Sequence, residues 1–90
     1  MIPFMPEVGR FGGMVFSIRL REHPPPHFHV RFQGAEASIE ISSGRVRTRN
    51  MPGRQLVEVE AWRAEHEDWL LKAWTEIEQG NDPGKPPWLS

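Results

Sequence analysis

The histidines of this chain are concentrated in one short segment. Three of the four, together with three consecutive prolines, lie in residues 22–30, EHPPPHFHV. Proline fixes φ and biases the residue before it toward extended conformations, so the prolines predict a stiff connector followed by a strand. Alternate side chains share one face of a strand, and His27 and His29 therefore point the same way. The pair predicts a chemical site without identifying a reaction.

One interpretation of this pair is a metal site. Neutral imidazoles two residues apart on a strand can both reach one ion, and a third ligand is then needed from His23, Glu22 or Glu40. The candidate ligands are therefore His27, His29, Glu40 and His23, and zinc is the default among possible divalent metals. The other interpretation is structural, with both histidines facing solvent among the polar side chains of a sheet.

Basic residues add a second kind of chemistry near the histidines. The candidates for catalysis are His27, His29 and Arg31, since histidine beside arginine can perform acid–base work on a phosphodiester. The candidates for binding nucleic acid or a partner are Arg31, Arg45, Arg47, Arg49 and Trp88. Glu36 and Glu40 oppose this hypothesis by neutralising part of the patch, and the exposed sheet offers no aromatic platform for bases.

Apolar and polar residues alternate in four segments that predict strands over residues 14–20, 27–32, 35–41 and 45–49. Gln33-Gly34 and Ser43-Gly44 are the predicted hairpin turns. The first turn places Phe28 opposite Ile39, and the second places Ile41 opposite Val46. Both turns put the same apolar positions inside, and a slip of one residue in either would destroy that agreement.

A long helix follows the predicted sheet over residues 53–79, with one broad apolar stripe. His66 lies within that stripe, where a buried structural histidine competes with a functional one. The tail, residues 80–90, is extended by composition, and Trp88 is an apolar anchor for this chain or for a partner. The fold class predicted is α+β, an antiparallel four-stranded meander with one C-terminal helix packed on one face.

The predicted organisation is a single domain over residues 1–90. It comprises an irregular segment at 1–13, the sheet at 14–50, the helix at 53–79 and the tail at 80–90. Absence of cysteine rules out a disulfide framework and fits a reducing compartment, so we expect a cytoplasmic protein. There is no signal peptide pattern and no apolar run of membrane-spanning length, so we expect no membrane association. A net charge of −1 gives no global electrostatic case for binding nucleic acid.

Residues 22–30, the alternating strands, and the run Met51-Pro52-Gly53-Arg54-Gln55-Leu56 leading into Trp62, His66 and Trp74 resemble a small bacterial family of unknown function, DUF4160. The resemblance covers roughly residues 5–80. It implies a short cytoplasmic protein, often encoded beside another small protein in pairs that resemble toxin–antitoxin modules. It supplies no activity and no catalytic residues.

Two classes of function therefore follow as hypotheses. The first is an interaction module of a toxin–antitoxin-like operon, which uses its histidine- and arginine-rich sheet face to contact a protein partner, a second copy of itself or nucleic acid. The alternative is a small metal-binding or ribonuclease-like enzyme that uses His27 and His29.

Overall fold

A computed structural model describes residues 6–47 and 50–88 of the protein. It consists of an antiparallel sheet and a C-terminal helix, and the elements are β1 (Glu7–Phe11), β2 (Met14–Ser17), β3 (His27–Phe32), β4 (Ala35–Glu40) and α1 (Gly53–Glu78). The strands lie side by side in chain order, β1-β2-β3-β4. The predicted α+β class, a four-stranded meander with one helix, is therefore confirmed.

The first strand of this sheet is one that the sequence did not predict. Residues 1–13 were expected to be irregular, but residues 7–11 form β1 and pair antiparallel with β2. The turn between them is Gly12-Gly13, and both residues have positive φ, which glycine adopts without steric cost. The alternation of β1 is hidden because Gly9 interrupts it and because the register shifts between Glu7 and Gly9. β2 also ends at Ser17, before the predicted limit of 20.

The predicted strand over residues 45–49 is wrong for the part that the structure describes. Val46 makes a single bridge, and its partner is Ile39 instead of Ile41; residues 48 and 49 lie outside the described residues. The cause is a longer connection than the predicted two-residue turn, since the Glu40 amide donates to the Arg45 carbonyl at 2.9 Å. The register moves by two residues, which keeps the same side chains inside.

The pairing of β3 with β4 matches the prediction. Phe28 lies opposite Ile39 as the Gln33-Gly34 turn requires, and the other five pairs of the two strands, Val30 with Ala37 among them, follow in the same register. One face of the sheet is consequently apolar and packs on α1. Phe16 of β2 stacks on Trp62 of the helix with ring centroids 4.3 Å apart, an arrangement that adds to the stabilisation from burial alone.

A buried arginine fixes the helix against the end of the sheet. Arg63 is only 7% exposed, and its guanidinium donates to the Ile41 carbonyl at 2.6 Å and to the Glu60 carboxylate at 2.6 and 2.7 Å. The Ile41 amide donates in turn to the Pro26 carbonyl at 2.9 Å. The residue just before β3 is thereby tied, through the end of β4, to the helix.

The tail that follows α1 packs on its own chain. Trp88 stacks on His66 with ring centroids 3.8 Å apart, and its Nε1 donates to the Val8 carbonyl of β1 at 2.6 Å. The sequence left open whether Trp88 packs on this chain or on a partner, and the structure shows it packed on this chain. His66 is only partly buried, and its backbone angles, φ −114° and ψ 17°, leave the helical range. The histidine therefore lies beneath the docked tail.

Close packing at Gly9 generates a prediction about stability. A Cβ at this position would lie 2.6 Å from the Trp62 ring and 2.8 Å from the Phe16 ring. We expect Gly9→Ala to lower the free energy of unfolding by about 1–3 kcal/mol, because both rings belong to the packed core. Urea unfolding followed by tryptophan fluorescence measures the loss.

Gly53→Ala is the matched control, because a Cβ at position 53 would meet open space. We expect it to leave stability unchanged or to raise it by about 0.4–1 kcal/mol. Equal stability of the Gly9 variant and the wild type would contradict the packing of β1 beneath Trp62.

Candidate metal centre

The histidine pair forms the centre of a compact polar cluster. β3 holds His27 and His29 on one side of the sheet with ring centroids 5.1 Å apart. The connector between β2 and β3 folds back over them, so that Oε1 of Glu22 lies 3.2 Å from Nε2 of His27 and in still closer contact with Nε2 of His29. Three polar side chains from two segments thus converge on one point.

The alternative of two solvent-facing histidines is wrong. His27 is 4% and His29 is 9% exposed. The connector supplies part of this cover, and the Trp74 ring of α1 supplies more, with its centroid 5.1 Å from that of His27. Burial of two polar rings must be compensated by hydrogen bonds or by an ion, and the partners of each ring nitrogen are therefore informative.

A backbone carbonyl determines where His27 carries its proton. Nδ1 of His27 lies 2.9 Å from the carbonyl oxygen of Pro25. A carbonyl can only accept a hydrogen bond, so Nδ1 must be the donor. In the neutral ring, Nε2 is then unprotonated, and its lone pair faces the Glu22 carboxylate. Two acceptors that face each other need a cation between them, either a proton or a metal ion.

His29 stands between two carboxylates. Its Nε2 contacts Glu22, and its Nδ1 lies 3.6 Å from Oε1 of Glu36. Glu36 is itself paired with Arg19 of the connector. A metal-bound histidine commonly directs its second nitrogen toward a carboxylate or a carbonyl, and both rings of the pair have such a partner, Pro25 for His27 and Glu36 for His29.

The pKa values of His29 and Glu22, the two groups in closest contact, are both lowered. Burial lowers the pKa of His29, against the opposing effect of its hydrogen bond with Glu22. Burial alone would raise the pKa of Glu22, but the hydrogen bonds with His29 and His27 outweigh it, and the pKa of Glu22 is lowered. Near neutral pH the pair is consequently a carboxylate and a neutral imidazole. These are the protonation states in which both groups bind metals.

The arrangement has the donor set of a metal centre. One ligand atom each from Glu22, His27 and His29 lies within 4.8 Å of the other two. Two imidazoles and one carboxylate are the protein ligands of several catalytic zinc sites, in which the fourth position remains for water or substrate. A pocket of about 360 Å³ adjoins the cluster, and it is lined by Glu22, His23, His27, His29, Ser38 and Arg47.

The predicted third ligands occupy different places. His23 is exposed at the wall of the pocket, whereas the Glu40 carboxylate accepts a hydrogen bond from the Ser43 hydroxyl at 2.9 Å. Glu22, which the sequence offered only as an alternative, is the carboxylate that joins the pair. Its position depends on the fold of the connector, where Arg21 has a positive φ of 58° and the Pro24–Pro25 bond is cis.

The predicted binding residues are distributed around this centre. Arg47 lines its pocket, and Arg45 and Arg31 are exposed nearby on the same side of the sheet. Arg49 lies outside the described residues. Trp88 packs elsewhere, because its partners are three rings of α1 and the Val8 carbonyl. The structure therefore groups the arginines with the histidines and separates Trp88 and His66 from them.

Comparisons with known proteins gave one result. Residues 13–75 match a family model described as "Domain of unknown function (DUF4160)". The matched range includes the whole cluster and most of α1. No match was found among curated proteins or among solved structures. Within the described residues, no helix is both long enough and apolar enough to cross a membrane.

The lowered pKa of His29 predicts how stability depends on pH in the presence of a chelator. As pH falls below the ordinary value of 6.5, the unfolded chain takes up a proton that folded His29 does not, so the free energy of unfolding decreases. The slope for one proton is at most about 1.4 kcal/mol per pH unit. The lowered pKa of Glu22 adds a further loss below 4.5. Urea unfolding between about pH 7 and about pH 5.5 isolates the contribution of His29.

The matched variant is His29→Gln, which keeps an amide donor for Glu22 and does not titrate. We expect a smaller decrease in stability over the same pH interval for this variant. Identical pH profiles for the wild type and the variant would contradict a neutral, buried His29.

Proposed function

The chain belongs to the DUF4160 family, and we propose that it binds one divalent metal ion through Glu22, His27 and His29. The observation that carries the proposal is the convergence of two imidazole Nε2 atoms on one carboxylate oxygen, with the Pro25 carbonyl holding the proton of His27 on the opposite nitrogen. That geometry leaves a lone pair directed at a carboxylate. A divalent cation satisfies both groups together.

The donor set favours zinc or another borderline transition metal. Imidazole nitrogen suits zinc, iron, copper and nickel, whereas magnesium and calcium prefer sites made only of oxygen. Three protein ligands leave at least one coordination position open toward the pocket. A metal in such a position lowers the pKa of bound water to about 7 and polarises substrate oxygens. Metal-assisted hydrolysis is the chemistry that a bound ion would supply at this pocket, where His23 and Arg47 stand at the wall.

Native mass spectrometry of the untagged protein with zinc added tests the proposal. We expect a mass increase of one ion per chain for the wild type and its loss in His29→Gln and Glu22→Gln, because each change removes one of three ligands. Zinc should also raise the unfolding temperature of the wild type, since the ion binds only the folded arrangement. A thermal shift measurement checks that effect.

Glu40→Gln and His23→Gln are the matched controls for the two ligand variants. Both replace a residue of the same type near the site, and neither residue belongs to the converging set, so we expect both to retain the ion. Circular dichroism establishes that all four variants fold. Retention of zinc by folded Glu22→Gln and His29→Gln, or its absence from the wild type, would contradict the metal centre.

The second candidate function is an interaction module of a toxin–antitoxin-like operon in the bacterial cytoplasm. Exposed arginines favour it, because Arg31, Arg45 and Arg47 make no ion pair with any carboxylate that the structure describes. The partner would be a protein, a second copy of this chain or nucleic acid. Trp88 contributes less to this candidate than its position in the sequence suggests, because its indole is already packed against His66 and Trp62.

For this candidate, co-purification with the product of the adjoining gene is the measurement. We expect the pair of changes Arg45→Glu and Arg47→Glu to weaken the complex by at least about tenfold, since the charge of the contact face is reversed. Lys72→Glu, a charge reversal on the exposed side of α1, is the control. Equal weakening by both would show that net charge, and not this face, determines association.

A further inference from the structure

The pocket of the proposed metal centre is part of a longer surface depression. On one side it shares Arg47 with a pocket that is also lined by Arg45, Glu40 and Pro25. On the other side it shares His29 and Ser38 with a pocket that extends to Arg19 and Asn50. We call the three adjoining pockets together the furrow. It crosses the polar side of the sheet, and the histidine pair lies at its middle.

Three arginines and three carboxylates line the furrow, so its excess of positive charge would come from the proposed ion. The Glu36 carboxylate pairs with Arg19, and the Glu40 carboxylate accepts from the Ser43 hydroxyl. The side chains of Arg45 and Arg47 make no hydrogen bond or ion pair with the residues that the structure describes. Within the described residues these two guanidinium groups are therefore unpaired and can meet an anionic ligand. Arg31 lines none of the three pockets but is exposed on β3, two residues after His29.

We propose that the furrow binds the phosphodiester backbone of a single-stranded nucleic acid and places one phosphate over the metal centre. This assignment rests on the proposed function, because the ion supplies the central contact. Arg45 and Arg47 hold phosphates on one side of that centre and Arg31 holds one on the other. Guanidinium groups suit this role because their planar donors match phosphate oxygens.

The shape of the site favours a single-stranded nucleic acid over a small molecule as the ligand. Pockets for small ligands enclose most of the ligand surface, whereas the three pockets here are open to solvent and adjoin one another through shared lining residues. The ligand atoms of the centre are recessed, since the two histidines are less than 10% exposed. A flexible single strand can bend a phosphate down to them more readily than the rigid, convex surface of a duplex.

The lining also determines what kind of recognition is possible. No phenylalanine, tyrosine or tryptophan lines any of the three pockets among the residues that the structure describes. The furrow therefore lacks the large aromatic platform of sites that read single strands by stacking. Recognition must occur through phosphate charge and is independent of base sequence.

Fluorescence anisotropy with labelled single-stranded oligodeoxythymidine, in the presence of zinc, tests the inference. Four phosphate contacts, three from arginines and one from the ion, predict that the logarithm of affinity falls with the logarithm of salt concentration with a slope of about −2.8, from about −0.7 per contact. In the Arg45→Ala and Arg47→Ala double variant, we expect affinity to fall by about tenfold or more and the slope to weaken to about −1.4. Lys72→Ala, on the exposed side of α1, should match the wild type.

Two further measurements separate this inference from the metal site itself. The double arginine variant should still bind one zinc ion by native mass spectrometry, because neither arginine is a ligand. Glu22→Gln or a chelator should weaken binding of the oligonucleotide severalfold, since the central phosphate contact is lost. Inorganic polyphosphate should compete with the oligonucleotide, because the contacts are made to phosphate alone.

Each contrary result has a distinct meaning. Stoichiometric zinc with no oligonucleotide binding, or with binding that the arginine changes leave intact, overturns the inference and leaves the metal centre standing. No zinc in the wild type overturns both, because the central contact is then missing. Competition by polyglutamate as strong as that by polyphosphate also overturns the inference, and indicates that an acidic protein is the partner of this face.

Discussion

The hydrogen bond from Nδ1 of His27 to the Pro25 carbonyl determines the chemistry of the whole polar cluster. It assigns the proton of a buried ring to one nitrogen and leaves a lone pair on the other. That lone pair faces a carboxylate at 3.2 Å, and the neighbouring His29 reaches the same oxygen. Without the carbonyl, His27 could donate to Glu22 directly, and the cluster would need no further cation. With it, a proton or a metal ion must lie between the two acceptors, and the proposed divalent ion would fill that place.

The fold serves mainly to hold the connector between β2 and β3 over the histidines. Backbone hydrogen bonds tie both ends of the connector, from the Ile18 amide to the Pro6 carbonyl at 3.1 Å and from the Ile41 amide to the Pro26 carbonyl at 2.9 Å. The first bond depends on the segment that leads into β1, and the second on the end of β4, which Arg63 fixes to α1. The sheet and the helix thus both position the proposed metal centre, although its three candidate ligands lie within residues 22–29.

Local periodicity was sufficient to predict much of the fold but only part of the site. The alternation of β3 and β4 predicted their register pair by pair, and it placed His27 and His29 on one face. Periodicity could not reveal β1, because Gly9 interrupts the apolar pattern. Gly9 lies in close contact with Trp62, a residue distant in sequence, and a side chain there would collide with that ring. Nor could periodicity select Glu22 over Glu40. The pairing of β3 with β4 places Glu40 opposite His27 and so favours it as the partner. The observed contact of His27 with Glu22 arises instead from the path of an irregular, proline-rich connector, which a periodic pattern does not predict.

The most direct experiment determines which nitrogen of the His27 ring carries the proton. A two-bond proton–nitrogen correlation spectrum of the metal-free protein at neutral pH distinguishes the two nitrogens of each imidazole. We expect a protonated Nδ1 and an unprotonated Nε2 for His27, and a change at the Nε2 signals of both His27 and His29 when zinc is added. A proton found on Nε2 of His27, with Nδ1 bare, would contradict the hydrogen bond to Pro25 and remove the reason for a metal ion at this site.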